Sequence, residues 1–255
     1  MPKFDVAGST RVLYGIHPVA EALRVAGRVK ALYLEQGSQS PTLRKMGDRA
    51  RAAGIRVETC DRGKLFRLSD STHHQGAVAE ACPLGNGSLR GLLKDHPSES
   101  LMVLLLDRVQ DPQNLGNIYR TAEASGVALV FLPAKETVSH QLGSVAKASA
   151  GAVEHVPTVV VGGLKQPLQE LKEAGFRIYG LDQGGASDCW STEYPGRTAL
   201  LAGAEGTGLS KPARDLCDEL VSVPMLGRVE SLNVTNAVAV VLYEILRQRR
   251  QTETS

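Results

Sequence analysis

The chain has 255 residues, of which 42% are hydrophobic and 22% are charged, a composition typical of a globular protein with one or two domains. This balance excludes an intrinsically disordered chain, and no apolar run approaches the roughly 20 residues that a membrane helix requires. Residues 1–10 lack the pattern of a secretory signal, so we expect a cytoplasmic protein.

The net charge of +2 hides an uneven distribution. Residues 1–82 carry 13 Lys and Arg against 8 Asp and Glu, whereas residues 83–255 carry 16 against 19. A basic N-terminal part is typical of RNA binding, although a solvated helix face explains the same pattern. The 4 cysteines form no C-x-x-C pair, so we expect free thiols, no metal site and a reducing compartment.

The N-terminal elements predict a small α/β domain over residues 1–82. In chain order we predict a helix at His17–Arg24, a strand at Val29–Leu34, a helix at Thr42–Ala53, and strands at Ile55–Thr59 and Gly76–Ala81. Residues 83–99 are rich in Gly, Pro and Ser and contain one short helical piece, which predicts a linker.

From residue 100 to 255 the pattern changes to short apolar runs that alternate with helices. The runs are Leu101–Leu106, Ala128–Leu132, Val156–Val161, Arg177–Leu181, Thr198–Ala202 and Leu220–Val223. Strands without polar alternation predict a mostly parallel sheet that helices cover on both faces, which is an α/β fold. The final helix, about residues 233–250, has an apolar stripe formed by Val234, Val238, Val241, Leu242, Ile245 and Leu246.

The first segment with unusual polar residues follows the first apolar run. The strand ends at Asp107, Asp111-Pro112 predicts a turn, and Asn114 is expected to be a helix N-cap. Arg120 follows on that helix. Open α/β sheets bind ligands beside the carboxyl ends of their strands, which makes both residues site candidates; a plain cap and a surface ion pair are the alternatives.

The second segment is a loop that contains Gly203, Gly206 and Gly208 around Glu205. Glycines permit positive φ angles and a close approach of the backbone to a ligand. The G-x-x-G-x-G spacing does not match the dinucleotide or NTPase loops, which excludes a nicotinamide-dependent enzyme. A tight turn is the alternative.

The third segment leads from the last strand into the final helix. Ser231 or Asn233 is expected to cap that helix, and Thr235 and Asn236 crowd the same turn. A cap needs one polar residue, so the excess indicates side chains arranged around a ligand; a solvated helix start is the alternative.

Together, in this order, the three segments resemble the motifs of the SpoU (TrmH) group of SPOUT methyltransferases. Tyr14-Gly-Ile-His-Pro and His74-Gln-Gly are similar to the substrate domain of the large-subunit rRNA guanosine 2′-O-methyltransferases. The resemblance implies a trefoil-knotted sheet domain, a preceding L30e-like domain and a homodimer through the knotted domains. It also implies transfer of a methyl group from S-adenosylmethionine to a ribose 2′-hydroxyl of large-subunit ribosomal RNA.

The resemblance further implies roles for individual residues, by matching position. The implied cofactor-binding residues are Gly203, Val223, Met225, Leu232 and Asn233, and the implied catalytic residues are Asn114, Arg120, Glu205, Ser231 and Asn233. The group's proposal makes the arginine a general base. A guanidinium, with a pKa above about 12, seldom releases its proton, so we hypothesise that Arg120 holds a phosphate and stabilises the alkoxide.

Two alternatives stay open at this point. One is a tRNA 2′-O-methyltransferase of the same group, which the separate N-terminal domain disfavours. The other is a non-catalytic RNA-binding or ribosome-assembly protein, which the joint presence of the candidate residues disfavours.

Overall fold

The structure is a computed structural model that describes residues 10–204, 206–229 and 231–253. Its strands are β1 (Arg11–Tyr14), β2 (Val29–Glu35), β3 (Arg56–Cys60), β4 (Ala77–Ala81), β5 (Leu101–Leu106), β6 (Leu129–Pro133), β7 (Thr158–Val161), β8 (Arg177–Leu181), β9 (Ser187–Asp188), β10 (Arg197–Ala202) and β11 (Glu219–Ser222). Its helices are α1 (Ile16–Ala22), α2 (Pro41–Ala52), α3 (Arg62–Ser69), α4 (Leu89–Asp95), α5 (Pro112–Ser125), α6 (Gly143–Ala148), α7 (Lys165–Glu173), α8 (Lys211–Arg214) and α9 (Val234–Glu253), with a 3-10 turn at Ala152–Glu154.

The chain forms two compact units. The first contains the residues up to Leu84 together with Ser139–His155, and the second contains Gly85–Val138 and the residues from Val156 onward. None of the helices in the described ranges combines the length and the apolar character of a membrane span.

A four-stranded sheet in the order β1-β4-β2-β3 forms the first unit. β4 runs antiparallel to β1 and β2, whereas β2 and β3 are parallel. Leu13, Leu32 and Leu65 are fully buried in its core. The small α/β unit expected from the sequence is therefore confirmed, with β1 and α3 as elements that the sequence did not predict.

The segment Ser139–His155 lies between two parts of the second unit in sequence but packs with the first. Its Glu154 carboxylate is buried and pairs with Arg11 at 2.9 Å and Arg28 at 3.2 Å. The predicted boundaries, 1–82, 83–99 and 100–255, assign this segment to the C-terminal domain. In the structure this segment packs with the first unit instead. The ion pairs that hold it there join residues far apart in the sequence, so local patterns do not predict them.

A seven-stranded parallel sheet in the order β7-β6-β5-β10-β8-β11-β9 forms the second unit. All residues of β5 are buried, so both faces of the sheet are covered. Leu168 and Leu171 of α7 pack with Phe131 and Ile178 of the sheet, while α9 packs against α5 and β10. The predicted α/β fold with a parallel sheet is confirmed. The trefoil knot stays a prediction.

The apolar stripe of α9 is mostly confirmed. Val234, Val238, Val241, Leu242 and Ile245 are buried, whereas Leu246 is only partly covered.

Candidate active site

Four parallel strands end together at one edge of the seven-stranded sheet. Ala202 at the end of β10 is in register with Leu106 of β5 and with Leu181 of β8, and Leu181 is in register with Val221 of β11. The residues that follow these strands therefore meet at one edge, where open α/β sheets bind ligands. This edge holds a cleft of about 250 Å³.

The glycine loop after β10 forms one wall of the cleft. Ala204 and Gly208 exchange two backbone hydrogen bonds of 3.1 and 2.9 Å, which close the loop. Gly206 and Gly208 have φ angles of 79° and 62°, which glycine adopts without strain. Among the described residues, none apart from the glycine itself and its chain neighbours has a heavy atom within 4 Å of a Cβ built on Gly206, so the backbone there stays open to a ligand.

Gly203, at the entry to the same loop, is glycine for a steric reason. A Cβ added there would lie 2.2 Å from the carbonyl carbon and oxygen of Gly208 and 2.4 Å from the Leu209 nitrogen. These atoms belong to backbone that the loop closure fixes. Only a residue without a side chain fits at this position.

The two residues that follow β5, Asp107 and Arg108, hold the glycine loop by hydrogen bonds. The Asp107 carboxylate accepts a hydrogen bond from the Ser210 backbone N–H at 2.9 Å, and the Arg108 guanidinium donates to the Gly208 carbonyl at 3.2 Å. Arg108 has a φ angle of 61°, a conformation that costs a non-glycine residue about 1 kcal/mol. Such backbone strain persists where surrounding contacts impose it, and it clusters at functional sites.

The end of β8 supplies a polar wall. The Asp182 carboxylate pairs with Arg214 at 2.6 Å and accepts a hydrogen bond from the Gly184 N–H at 2.9 Å. The Gln183 amide donates to the Val223 carbonyl at 3.3 Å and so connects the ends of β8 and β11. The apolar part of the lining includes Leu181, Ala204, Val223, Leu232, Val234 and Ala237.

The start of α9 lies against α5 through two asparagines. The Asn233 side-chain oxygen accepts hydrogen bonds from the Thr235 N–H at 2.8 Å and from the Thr235 hydroxyl at 2.7 Å, which makes Asn233 the cap of α9. Its amide group donates to the Asn114 side-chain oxygen at 3.2 Å. One asparagine therefore both caps the helix and fixes its position relative to α5.

The prediction that Asn114 caps α5 is wrong. The helix begins at Pro112, and Asp111 is its N-cap, since the Asp111 carboxylate accepts a hydrogen bond from the Asn114 N–H at 2.9 Å. A proline at the first helical position has no N–H to satisfy, so the cap belongs just before it. The side chain of Asn114 is thereby available to Asn233.

The structure brings some of the predicted site residues together at the cleft. Gly203, Val223, Ser231 and Leu232 line it. Asn114 and Asn233 form a hydrogen bond with each other, and neither is among the described residues that line the cleft.

Two further candidates are placed differently. Met225 is half-buried in the stretch after β11, and Arg120 is exposed on α5; neither is among the described residues that line the cleft. Glu205 lies outside the described residues.

Four polar residues of this edge were missed by the sequence reasoning: Asp107, Arg108, Asp182 and Arg214. A signal for two of them exists, because Asp107 and Asp182 each follow directly on the last residue of a buried parallel strand. The rule that ligands bind at the carboxyl ends of such strands would have marked both.

The cysteines of the second unit do not supply nucleophiles. Burial raises the pKa of the Cys217 thiol to about 12 and that of Cys189 to about 11, so both are neutral thiols at physiological pH. The expectation of free thiols is confirmed.

Comparison with known families gives two matches that together span most of the chain. A model described as the SpoU rRNA Methylase family matches residues 101–243, and a model described as RNA 2′-O ribose methyltransferase substrate binding matches residues 12–85.

Two curated relatives align over nearly the full length. A Staphylococcus aureus protein, assigned by name to the TrmH family of tRNA/rRNA methyltransferases, is 35% identical over 93% of this chain and 96% of its own. The 23S rRNA (guanosine-2′-O-)-methyltransferase RlmB of Ralstonia nicotianae is 36% identical over 94% of this chain and 96% of its own.

A solved structure is similar in fold as well as in sequence. The SpoU methyltransferase AviRb from Streptomyces viridochromogenes, crystallised in complex with AdoMet, superimposes with a TM-score of 0.79 and 26% identity. The match covers 94% of this chain and 90% of that one.

Proposed function

Because the chain belongs to the SpoU rRNA methylase family and is an S-adenosylmethionine-dependent RNA 2′-O-ribose methyltransferase, we propose that its target is a guanosine of large-subunit ribosomal RNA. The observation that carries the choice of target is the nearly full-length match to a 23S rRNA guanosine methyltransferase. The basic N-terminal domain, residues 1–82, would hold the RNA, and residues 100–255 would carry out the methyl transfer.

The residues of the cleft fit S-adenosylmethionine. Adenine is flat and mostly apolar, and Leu181, Val223 and Leu232 offer an apolar wall with backbone groups beside it. The open space at the Cβ position of Gly206 allows a close approach to the loop backbone. The cofactor's charged amino acid part matches a wall that contains both signs of charge, Asp182 and Arg214. Gly203, Val223, Met225, Leu232 and Asn233 are the proposed binding residues.

The bound cofactor supplies a methyl group on a sulfonium, which is electrophilic. The task of the protein is then to hold a weakly nucleophilic ribose hydroxyl in line and to stabilise the negative charge that develops on its oxygen. Positioning can contribute about 7–11 kcal/mol at best, and one electrostatic donor about 3–4 kcal/mol.

Arg120 is the proposed electrostatic donor. Its guanidinium is exposed and so accessible to RNA. A guanidinium binds phosphate in a fork geometry and stays charged at physiological pH, which favours phosphate holding and alkoxide stabilisation over proton abstraction. The other proposed catalytic residues are Asn114, Glu205, Ser231 and Asn233. Among these, the Asn233–Asn114 bond supports a positioning role, because it fixes the first turn of α9 beside the cleft.

A tRNA target is the second candidate, and the mixed tRNA/rRNA name of the S. aureus relative favours keeping it. Tritiated methyl transfer from S-adenosylmethionine onto bacterial total RNA, followed by separation of rRNA and tRNA, distinguishes the two. We expect label in large-subunit rRNA at a guanosine 2′-oxygen, and much less label with Arg120→Ala. Label confined to tRNA would overturn the proposed target.

A homodimer through the C-terminal domain is part of the same proposal. Support comes from α9, where Tyr243 is 50% exposed next to the partly covered Leu246. Light scattering on the purified protein tests it: a mass twice that of the 27.2 kDa chain is expected, and a monomer at micromolar concentration contradicts it.

A further inference from the structure

The segment Ser139–His155 is built to pack against the first unit. A Cβ on Gly143 would lie 2.3 Å from the Val12 carbonyl oxygen, and a Cβ on Gly151 would lie 2.7 Å from the Glu21 side chain. Two glycines thus permit an approach to β1 and α1 that any larger residue would prevent. The contact is close-packed rather than incidental.

Polar contacts hold the two ends of this segment. Glu154, with no exposed side-chain surface, pairs with Arg11 and Arg28. Near the other end, the Gln141 amide accepts from the Leu84 N–H at 2.8 Å and donates to the Leu84 carbonyl at 3.2 Å. The helix between these anchors, α6, therefore has a fixed position in the first unit.

Lys147 on α6 reaches a loop that the N-terminal part of the chain contributes. Its ammonium donates to the Gln75 side-chain oxygen at 2.6 Å, and the same oxygen accepts from the Ile16 N–H at 3.2 Å. Gln75 has a φ angle of 53°. Gly15 leaves the space that the lysine occupies, since a Cβ there would lie 2.6 Å from the Lys147 nitrogen.

The charge of Lys147 has no carboxylate partner among the residues that the structure describes. The side chain is half-buried, and this burial lowers the pKa of its ammonium. A partly desolvated charge is costly unless an opposite charge or several hydrogen bonds compensate it. An ammonium has three N–H groups, and Gln75 uses one of them.

We propose that Lys147, held in place by Gln75 and by the space at Gly15, binds a phosphodiester group of the RNA. This inference rests on one part of the proposed function, namely that the substrate is an RNA. A residue from the stretch that matches the methylase model would then act as part of the RNA-binding surface of the first unit. The two remaining N–H groups of the ammonium would complete their hydrogen bonds on phosphate oxygens.

The substitution Gln75→Glu separates this role from a purely structural one. It keeps the shape of the side chain but adds a carboxylate next to Lys147, which would neutralise the ammonium. If the pair only ties the segment to the loop, the ion pair preserves or raises the melting temperature and leaves RNA binding unchanged. If Lys147 binds phosphate, the fold stays intact while RNA binding weakens.

Binding to full-length large-subunit rRNA, measured over a range of salt concentrations, is the assay. We expect Gln75→Glu and Lys147→Met each to weaken binding about five- to tenfold and to reduce the slope of log K against log salt by about 0.7–0.9, the loss of one phosphate contact. Lys165→Met, at an exposed lysine of α7 in the second unit, is the matched control and should change the affinity much less.

A failure of the phosphate site and a failure of the proposed rRNA target give different results in these experiments. Unchanged affinity and slope in Gln75→Glu, with a preserved melting temperature, would overturn the phosphate site even if the wild type methylates rRNA. Methylation of tRNA alone would overturn the proposed target, and the same variants would then be compared on that tRNA. Equal losses in the variants and the Lys165→Met control would also refute a specific site.

Discussion

The substitution Gly203→Ala tests whether closure of the glycine loop is needed for cofactor binding. The new Cβ would lie 2.2 Å from the Gly208 carbonyl atoms, whereas carbon atoms pack at about 3.5–4.0 Å. The loop must move by more than about 1 Å, which would break the paired hydrogen bonds between Ala204 and Gly208. Overpacking costs about 1–3 kcal/mol, and the upper end applies because the obstacle is backbone.

We therefore predict a fall of about 3 kcal/mol in the free energy of unfolding and at least a tenfold loss of S-adenosylmethionine affinity. A displacement of about 1 Å also lowers turnover by about 10²-fold. Urea unfolding and calorimetric titration measure the first two quantities.

Gly175→Ala is the matched control for generic destabilisation. Gly175 has a φ angle of 81°, and no described residue beyond its chain neighbours has an atom within 4 Å of its Cβ position, so only the backbone strain, about 1 kcal/mol, applies. It is outside the lining of the cleft, so cofactor affinity should stay unchanged. Wild-type affinity and stability in Gly203→Ala would refute the reasoning, as would equal affinity losses in both variants.

Three further predictions follow from the same structure. Arg120→Ala should lower single-turnover rates about 10²–10³-fold with little change in cofactor affinity by calorimetry, and abolished cofactor binding in a folded variant would contradict its role. Burial and the charge of Arg11 lower the pKa of His140 to about 4. Between a pH of about 6.5 and about 4, His140 is therefore protonated in the unfolded state but neutral in the folded state. Stability should accordingly fall by about 2 kcal/mol as the pH drops to about 5, and His140→Gln should remove this dependence in melting experiments; an unchanged slope would refute the assignment. Glu154→Gln leaves the buried Arg11 and the partly buried Arg28 without a carboxylate and should cost about 3–5 kcal/mol in urea unfolding; a loss below about 1 kcal/mol would contradict this.

The second unit was the easier one to predict, because its strands carry a strong local signal. β5 and β8 have the predicted bounds, since an apolar run between turn residues leaves little choice for a strand that is buried on both faces. β9 was missed because two residues, Ser187 and Asp188, form too short a strand to show a pattern.

Other features depend on distant residues and have no local signal. Arg11 begins a strand, and its buried charge pairs with Glu154, which lies 143 residues away in the sequence. The segment Ser139–His155 lies in sequence between two parts of the second unit, yet its glycines and Glu154 fit it to the first. Strand order in the parallel sheet is likewise set by packing of the whole unit.

For the candidate site, the resemblance to the family supplied residues that local patterns left ambiguous. Gly203 is the clearest example, because the reason for glycine there is the approach of Gly208, which only the closed loop creates. Asn233 was identified as a possible cap, but its bond to Asn114 required the positions of two helices. Asp182 could have been found from its place after β8.

The location of bound S-adenosylmethionine tests the central claim most directly. A crystal structure of the protein with this compound should show it in the cleft between the glycine loop and the residues before α9, in contact with Gly203, Val223 and Leu232. Electron density for the ligand at any other place, with this cleft filled by solvent, would contradict the account.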